Sequence, residues 1–249
     1  MAAVQLLEDV HLVGSGWSGF GITDPFDCNV YLIDGGDRAV LVDAGIGPRT
    51  DDMVAEVARV VDLSKVGHLI LTHAHPDHSG GAWRWRKTLP DVRIVASHAV
   101  ARWVRTADER AMSLEMGKRA EFYPPEFRFT RCPVDLEVAD GDSIRAGAME
   151  LLIVDTPGHA AGHISVVCRS KDRKLLFCGD VVFFGGLISL VNNWDCRIQD
   201  YAMSLSKLAS LEVDALFPGH HSVDLSRGSR HIDRAHRLFG QGFVPKSLV

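Results

Sequence analysis

The strongest constraint on this chain is a dense cluster of histidine and aspartate in the segment Thr72–His78. The cluster directly follows the apolar segment His68–Thr72, which is predicted to be a strand. A loop that leaves a strand can turn its side chains in different directions, so one segment can serve two adjacent metal ions. Imidazole nitrogen and carboxylate oxygen suit zinc, and also iron or manganese. Three imidazoles and one carboxylate lie within six residues: His73, His75, Asp77 and His78.

Three further residues of ligand type stand where an apolar segment ends in a turn. They are His159 after Val154–Gly158, Asp180 after Phe177–Gly179 and His220 after Leu216–Gly219. A neighbouring Gly or Pro allows a sharp exit from the strand and a close approach of the backbone. Each site alone is equally consistent with an ordinary polar turn, but together with the first cluster they predict a metal site. The expected ligands are His73, His75, Asp77, His78, His159, Asp180 and His220.

Short β-branched runs in both halves of the chain predict two sheets. Segments 29–34 and 39–43 flank Gly35-Gly36-Asp37, a hairpin-type turn. Further strands are predicted at 93–96, 149–154, 164–168, 174–178 and 215–217, and helices at 49–61, 80–89, 99–116, 200–211 and 228–239. Because no low-complexity linker or repeat interrupts the chain, the pattern predicts a single α/β domain over residues 1–249, a sheet sandwich covered by helices.

In this order and spacing, the seven ligand-type residues resemble the metal site of the metallo-β-lactamase superfamily, and the likeness covers almost the whole chain. The resemblance implies a four-layer αβ/βα sandwich, of α/β (α+β) class, with the metal site at one edge of the two sheets. It implies two ligand triads, His73, His75 and His159 for one ion and Asp77, His78 and His220 for the other. It also implies that Asp180 bridges the ions and that Asp43 supports the ligand loop. His163 is interpreted as making a structural hydrogen bond.

Within the superfamily, the chain most resembles the glyoxalase II and N-acyl homoserine lactonase branches, although it departs from both. Beta-lactamases proper lack the bridging aspartate seen here as Asp180, so antibiotic hydrolysis is not expected. Glyoxalase II has an added C-terminal helical region, whereas only 29 residues follow His220. The lactonases match in length and in all seven ligands, but they place a tyrosine shortly after the bridging aspartate. Here that stretch is Val181-Val182-Phe183-Phe184, which has no phenol.

Charge balance at such a site predicts hydrolysis. Two divalent cations supply +4 and two carboxylates with a bridging hydroxide supply −3, so the site stabilises an anionic transition state. Zinc lowers the pKa of bound water to about 7, and Asp77 is expected to orient the hydroxide or to shuttle its proton. The expected activity is attack on the carbonyl of an ester, lactone, thioester or amide, with two Zn²⁺ per chain, or Mn²⁺ or Fe²⁺ in their place.

Two other functions stay open at this point. A mononuclear, iron-dependent oxidoreductase of the persulfide dioxygenase type would leave His78 and His220 idle, so the presence of both favours hydrolysis. A non-catalytic, metal-stabilised binding protein is disfavoured by the full ligand set with its bridging carboxylate.

Aromatic residues close to the ligand loops predict where the substrate binds. Trp17 and Phe20 lie in the glycine-rich segment 14–21, a candidate flap, and Phe122–Phe129 is a candidate lid. The segment 185–194, which follows the bridging aspartate, is the third segment expected to select the substrate. We expect a small-molecule substrate with an apolar or aromatic part; the competing interpretation is that these aromatics only fill a satellite core. The predicted substrate contacts are Trp17, Phe20, Phe183 and Trp194.

Composition narrows the partners and the compartment. The net charge of −5, without a basic stripe, predicts no nucleic-acid partner. No apolar run approaches the roughly 20 residues that span a bilayer, and Met1–Val10 lacks the pattern of a signal peptide. Five scattered cysteines are typical of reduced thiols. A cytoplasmic protein without membrane contact is expected, and a homodimer is one option for its assembly.

Overall fold

Two β-sheets face each other in the computed structural model of the chain, which describes residues 3–249. The first sheet has seven strands in sequence order: β1 (Val4–Leu7), β2 (Val10–Gly14), β3 (Val30–Asp34), β4 (Ala39–Val42), β5 (Val66–Ile70), β6 (Arg93–Ser97) and β7 (Leu136–Val138). Strands β1 to β4 pair antiparallel, and β4 to β7 pair parallel. The predicted hairpin at 35–37 is confirmed by the pairing of Asp34 with Ala39.

The second sheet has five strands in the order β12-β11-β10-β9-β8. They are β8 (Ser143–Ala146), β9 (Met149–Asp155), β10 (Ile164–Ser170), β11 (Arg173–Gly179) and β12 (Ala215–Pro218). Strand β12 runs parallel to β11, and the other neighbours are antiparallel.

Seven helices accompany the sheets within the described residues. They are α1 (Thr50–Val60), α2 (Pro76–Ser79), α3 (Ala82–Thr88), α4 (His98–Thr106), α5 (Leu114–Arg119), α6 (Ile198–Ala209) and α7 (Ser229–Gly240). In the part of the chain described here, none of them is both long and apolar enough to cross a bilayer.

The core divides into three apolar layers. Strand β4 shows why: Ala39 and Leu41 pack under α1, α3 and α4, whereas Val40 and Val42 face the second sheet. Side chains alternate between the two faces of a strand, so a strand buried on both faces must be apolar throughout. A third cluster, with Leu205 of α6 among its members, lies between the second sheet and helices α6 and α7. The predicted four-layer αβ/βα sandwich is confirmed.

The single helix predicted over 99–116 is wrong. Helix α4 ends at Thr106, because Ala107 adopts a left-handed conformation with φ of 52°. The carboxylate of Asp108 then accepts the backbone N–H of Ala111 and forms a turn that competes with helix continuation. The sequence analysis also missed the strands β1, β2, β7 and β8, which are only three to five residues long.

Candidate metal centre

The strands deliver the predicted ligands to one edge of the sandwich. Strands β4 and β5 run parallel, and β9, β11 and β12 share one direction, so their carboxyl ends lie together. Asp43, His73, His159, Asp180 and His220 each follow the end of one of these strands. His75 immediately precedes the short helix α2, and Asp77 and His78 lie within this helix, which is buried throughout. All seven predicted ligands come together at this edge.

The first ligand group consists of three imidazole nitrogens. Nε2 of His73 lies 3.1 Å from Nδ1 of His75, and Nε2 of His159 lies 2.9 Å from that same atom. Nitrogens bound to zinc at about 2.0–2.1 Å in a tetrahedral site stand about 3.3 Å apart. The three nitrogens therefore converge at nearly the separation that one zinc ion requires.

The second group combines two imidazoles with a carboxylate. The Nε2 atoms of His78 and His220 are 3.3 Å apart. Oδ2 of Asp77 lies 3.4 Å from the first of these nitrogens and 3.0 Å from the second. Nitrogen and oxygen donors in this arrangement suit a second divalent cation.

The Asp180 carboxylate stands between the two groups. Its Oδ1 lies 3.5 Å from Nε2 of His78, and its Oδ2 lies 3.7 Å from Nε2 of His159 and 3.5 Å from Nε2 of His220. Oδ1 is buried and has no hydrogen-bond partner among the described residues. A buried carboxylate oxygen is costly unless a donor or a cation compensates it. The orphaned oxygen is therefore an observation that fits a bound cation.

Gly219 keeps the space beside Asp180 open. A Cβ atom at this position would stand 2.3 Å from Oδ1 of Asp180 and 2.6 Å from Cε1 of His78. The residues present thus fit a metal-binding cradle, and a glycine is required where the backbone passes closest to it.

Asp43 is not itself among the seven ligands, but it is hydrogen-bonded directly to the second ligand group and, through Thr72, to the first. Its Oδ2 accepts Nδ1–H of His78 at 2.8 Å, and its Oδ1 accepts the backbone N–H of Thr72 at 2.8 Å. The Thr72 hydroxyl donates to this carboxylate and lies 3.0 Å from Nδ1 of His73. Nδ1 of both imidazoles therefore carries the proton, which leaves each Nε2 lone pair free for a metal ion. Asp43 adopts a left-handed backbone conformation with φ of 65°, and these hydrogen bonds fix its carboxylate in this position.

His163 is engaged by protein groups on both ring nitrogens. Nδ1 lies 2.9 Å from Oγ1 of Thr156, and Nε2 accepts the backbone N–H of Asp180 at 3.1 Å. His163 is also fully buried. It holds the backbone that carries the central carboxylate.

Burial and mutual repulsion set the charge of the ligands. Burial, with repulsion from His159, lowers the pKa of His75 to about 3, so this imidazole is neutral at pH 7. Burial alone would raise the pKa of Asp180, but the neighbouring His220 and His78 hold it below its usual value. Asp77 is likewise held well below its ordinary pKa, against burial, by His78 and His220. Against burial, the neighbouring acidic groups raise the pKa of His78 and of His220, so these two rings would release a proton when a metal ion binds. Neutral imidazole and ionised carboxylate are the forms that bind a metal ion.

A cavity of about 510 Å³ opens above the ligands. His75, Asp77, His159, Asp180 and His220 form part of its lining. Its walls are largely apolar and include Trp17, Phe26, Met116, Phe122, Leu190 and Leu248. A volume of this size accommodates a small organic molecule.

The comparisons with known proteins agree with this geometry. Residues 23–220 match the sequence profile of the Metallo-beta-lactamase superfamily. The chain belongs to this superfamily. Its similarity to a metallo-β-lactamase from Cronobacter sakazakii reaches a TM-score of 0.74 at 20% identity, covering 97% of this chain and 96% of that one. A subclass B3 enzyme of Bradyrhizobium japonicum gives 0.72 at 19%, covering 97% and 93%. These solved structures support the fold.

Relatives with closer sequences are named as hydrolases. The chain is 30% identical over 218 residues to the human acyl-coenzyme A thioesterase MBLAC2, covering 78% of this chain and 73% of that protein. It is 28% identical over 201 residues to a hydroxyacylglutathione hydrolase of Aeromonas salmonicida, covering 80% and 63%. This member of the superfamily is a hydrolase.

The four predicted substrate contacts are only partly placed at the cavity of this superfamily member. Trp17 lines the cavity and is 79% exposed. Phe20, Phe183 and Trp194 are not among the lining residues within 3–249, so their assignment is corrected. Phe183 is fully buried, because the chain turns inward directly after β11. Trp194 packs edge-on against Trp103 and donates its indole N–H to the carbonyl of Ala111.

Only part of the predicted lid at 122–129 lies at the cavity. Phe122 lines the cavity, whereas Phe129 is buried in the core beneath the first sheet. A polar residue that the sequence analysis missed lies at the ligands themselves: the Asn193 side-chain amide lies 3.3 Å from Nε2 of His75. The Tyr123 hydroxyl donates to Oδ1 of Asp77 at 2.6 Å. Both residues lie in segments named in the sequence analysis, 122–129 and 185–194, but no local pattern distinguishes them from their neighbours in those segments.

Proposed function

We propose that this chain is a zinc-dependent hydrolase with two metal ions that attacks the carbonyl of an acyl thioester, with ester, lactone and amide substrates as the related classes. One observation carries the proposal: six side chains form two adjacent ligand groups with Asp180 between them, at a cavity with apolar walls. The thioester is placed first because relatives of this chain are named thioesterases, among them the human acyl-coenzyme A enzyme.

Two bound cations would act as Lewis acids toward the carbonyl oxygen. They would also lower the pKa of a bound water molecule, so that hydroxide would be available at neutral pH. His73, His75 and His159 would hold the first ion, and Asp77, His78 and His220 the second, with Asp180 shared. The distances between the ligand atoms support these assignments.

The chain's own residues would set the geometry of the attack. Asp43 fixes the proton on Nδ1 of His78 and, through Thr72, on Nδ1 of His73, so these ligand rings cannot turn. Asp77 is ionised and borders the cavity, where its carboxylate can accept a hydrogen bond from a water molecule held nearby and orient it. Fixed ligands aimed at the reacting atoms need no reorganisation during the reaction.

The cavity walls would select the acyl group. Trp17, Phe26 and Met116 give the space above the ligands an apolar surface, which favours burial of a hydrocarbon or aromatic substituent. A small-molecule substrate with such a part is therefore part of the proposal. The absence of nucleic-acid and membrane partners, the homodimer and the cytoplasmic location stay predictions.

The mononuclear persulfide dioxygenase is the rival function, and the second ligand group weighs against it. That reaction would need neither His78 nor His220, yet both Nε2 atoms point at Asp77 and Asp180. Burying a polar side chain costs free energy unless a partner compensates the lost hydration, so side chains without a function rarely converge in this way.

A substrate panel tests the proposal. Purified protein loaded with zinc would be assayed on matched octanoyl and benzoyl thioesters, oxygen esters and amides, a γ-lactone with an octyl chain and bis-nitrophenyl phosphate. We expect the thioesters to be hydrolysed with the highest kcat/KM, the activity to disappear with a chelator, and zinc or manganese to restore it.

The His221→Ala variant serves as the matched control for the ligand role, because His221 is exposed beside His220 and lines the cavity without being among the proposed ligands. It should retain chelator-sensitive turnover. Activity confined to the phosphodiester, or oxygen consumption with a persulfide, would overturn the proposal.

A further inference from the structure

Tyr123 is a cavity-wall residue that reaches a metal ligand. Its hydroxyl donates to Oδ1 of Asp77 at 2.6 Å, and its side chain is 8% exposed. It enters from the loop after α5, whereas Asp77 lies on α2, so the contact joins two segments 46 residues apart.

Helix α5 leaves space for the tyrosine ring at Gly117. A Cβ atom at Gly117 would stand 2.3 Å from Cε2 of Tyr123, so only glycine leaves room for the ring. The carbonyl of Gly117 also accepts the backbone N–H of Phe122, which fixes the turn that precedes the tyrosine. The hydroxyl is thus held in place from both the ring side and the backbone side.

The hydrogen bond assigns different tasks to the two oxygens of Asp77. Oδ1 receives the phenol, while Oδ2 lies 3.0 Å from Nε2 of His220 and 3.4 Å from Nε2 of His78. A carboxylate held at one oxygen presents the other in a fixed direction, whereas a free carboxylate can rotate and bind a cation through both oxygens.

The other two tyrosines provide a contrast. Tyr31 donates to the carbonyl of Pro218 at 2.6 Å, and Tyr201 donates to the carbonyl of Ser189 at 2.6 Å. Both are fully buried and support loops through backbone atoms. Among the tyrosines within residues 3–249, Tyr123 alone donates to the side chain of a proposed ligand.

We propose that Tyr123 is a positioning residue that fixes the orientation of Asp77 and thereby couples the α5 wall of the cavity to the second metal subsite. This inference rests on the proposed two-metal function, and it adds a determinant of that site from a segment outside the ligand motif. Binding of the second ion and the position of the α5 wall would then be coupled. Displacement of the wall would lower the affinity for the ion, and loss of the ion would destabilise the position of the wall.

Zinc titration of the metal-free protein tests the coupling without any substrate. Binding would be followed by competition with a chromophoric chelator, which separates a tighter and a weaker step. Loss of an outer partner of a metal ligand typically costs about 10–100-fold in affinity. We expect Tyr123→Phe to weaken one step by about that factor and to leave the other within about twofold.

Two further variants separate positioning from a general loss of stability. Ser229→Ala removes a hydroxyl hydrogen bond of 2.9 Å to the carbonyl of Val213, which precedes β12 at the end opposite His220, so it should lower the melting temperature and change neither zinc step selectively. Gly117→Ala displaces the Tyr123 ring without altering Asp77, and it should weaken the same single step as Tyr123→Phe.

The outcomes also distinguish this inference from the proposed function. If the wild-type protein binds two zinc ions and Tyr123→Phe changes neither step, or changes both equally, the positioning role is refuted while the two-metal site stands. If the wild-type protein binds only one zinc ion per chain, the proposed two-metal function itself fails. In the zinc-saturated Tyr123→Phe enzyme, we further expect kcat to fall more than KM rises, because the ligand is misoriented while the apolar ring remains in the wall.

Discussion

Substitution of Gly219 by alanine should disable the metal centre without disturbing the fold. The added Cβ would stand 2.3 Å from Oδ1 of Asp180 and 2.6 Å from Cε1 of His78. No strain of the backbone itself is expected, because Gly219 is absent from the positive-φ residues of the described chain. The perturbation therefore falls on the two ligands.

The size of the effect follows from these distances. Ordinary contact with a Cβ atom begins near 3.4 Å, so the Asp180 carboxylate or the His220 loop must retreat by about 1 Å. Metal–ligand distances tolerate only about ±0.2 Å. A displacement several times larger should weaken metal binding at least as much as the loss of an outer contact does, about 10–100-fold or more, equivalent to about 1.4 kcal/mol for each factor of ten.

Zinc titration of the metal-free variant, together with thermal unfolding of the same preparation, would measure this. Gly240→Ala is the matched control, because a Cβ atom there meets nothing within 4 Å. The control should bind zinc like the wild type. If Gly219→Ala binds two zinc ions with unchanged affinity, the cradle does not lie beside Asp180 and the reasoning fails.

Three other outcomes follow from the structure. Asp180→Ala should abolish hydrolysis and lower metal occupancy by elemental analysis, whereas His221→Ala should do much less; equal losses would mean that the ligand after β12 is misassigned. Trp17→Ala should raise KM for substrates with long acyl groups, while Trp194→Ala, outside the cavity lining, should not. Burial raises the pKa of Asp27 from 3.8 to about 6, so its protonated form stabilises the fold below about pH 4 and this contribution is lost as the pH rises through 6. Relative to Asp27→Asn, the wild type should lose on the order of 3 kcal/mol of unfolding free energy between pH 4 and 7 in denaturant titrations; a pH-independent difference would contradict the buried, proton-binding carboxyl.

The ligand set could be predicted from sequence because His73, His159, Asp180 and His220 each follow the end of a strand, and His75, Asp77 and His78 crowd behind His73 in the same short segment. A strand end fixes a residue at the edge of the sheet, and the neighbouring Gly or Pro marks the turn, so position along the chain gives position in space. His159 and His220 illustrate this, since each follows a short Pro-Gly turn at the end of β9 or β12. The four-layer fold followed from the same strands, together with the resemblance.

Residues that act across loops could not be predicted in this way. Tyr123 reaches Asp77 only because the loop after α5 folds back over the site, and no periodic pattern specifies that path. Phe183 stands three residues after Asp180, yet the chain turns inward there and buries it. The helix predicted over 99–116 failed for a related reason, since the left-handed Ala107 is not a residue type that marks a turn.

A crystal structure of the zinc-loaded protein, with anomalous scattering recorded at the zinc edge and elemental analysis of the same sample, would examine the metal centre directly. We predict two zinc ions per chain, one bound by His73, His75 and His159 and the other by Asp77, His78 and His220, with an oxygen of Asp180 on each. A single ion with His78 and His220 turned away, or stoichiometric iron in protein purified without added metal, would contradict it.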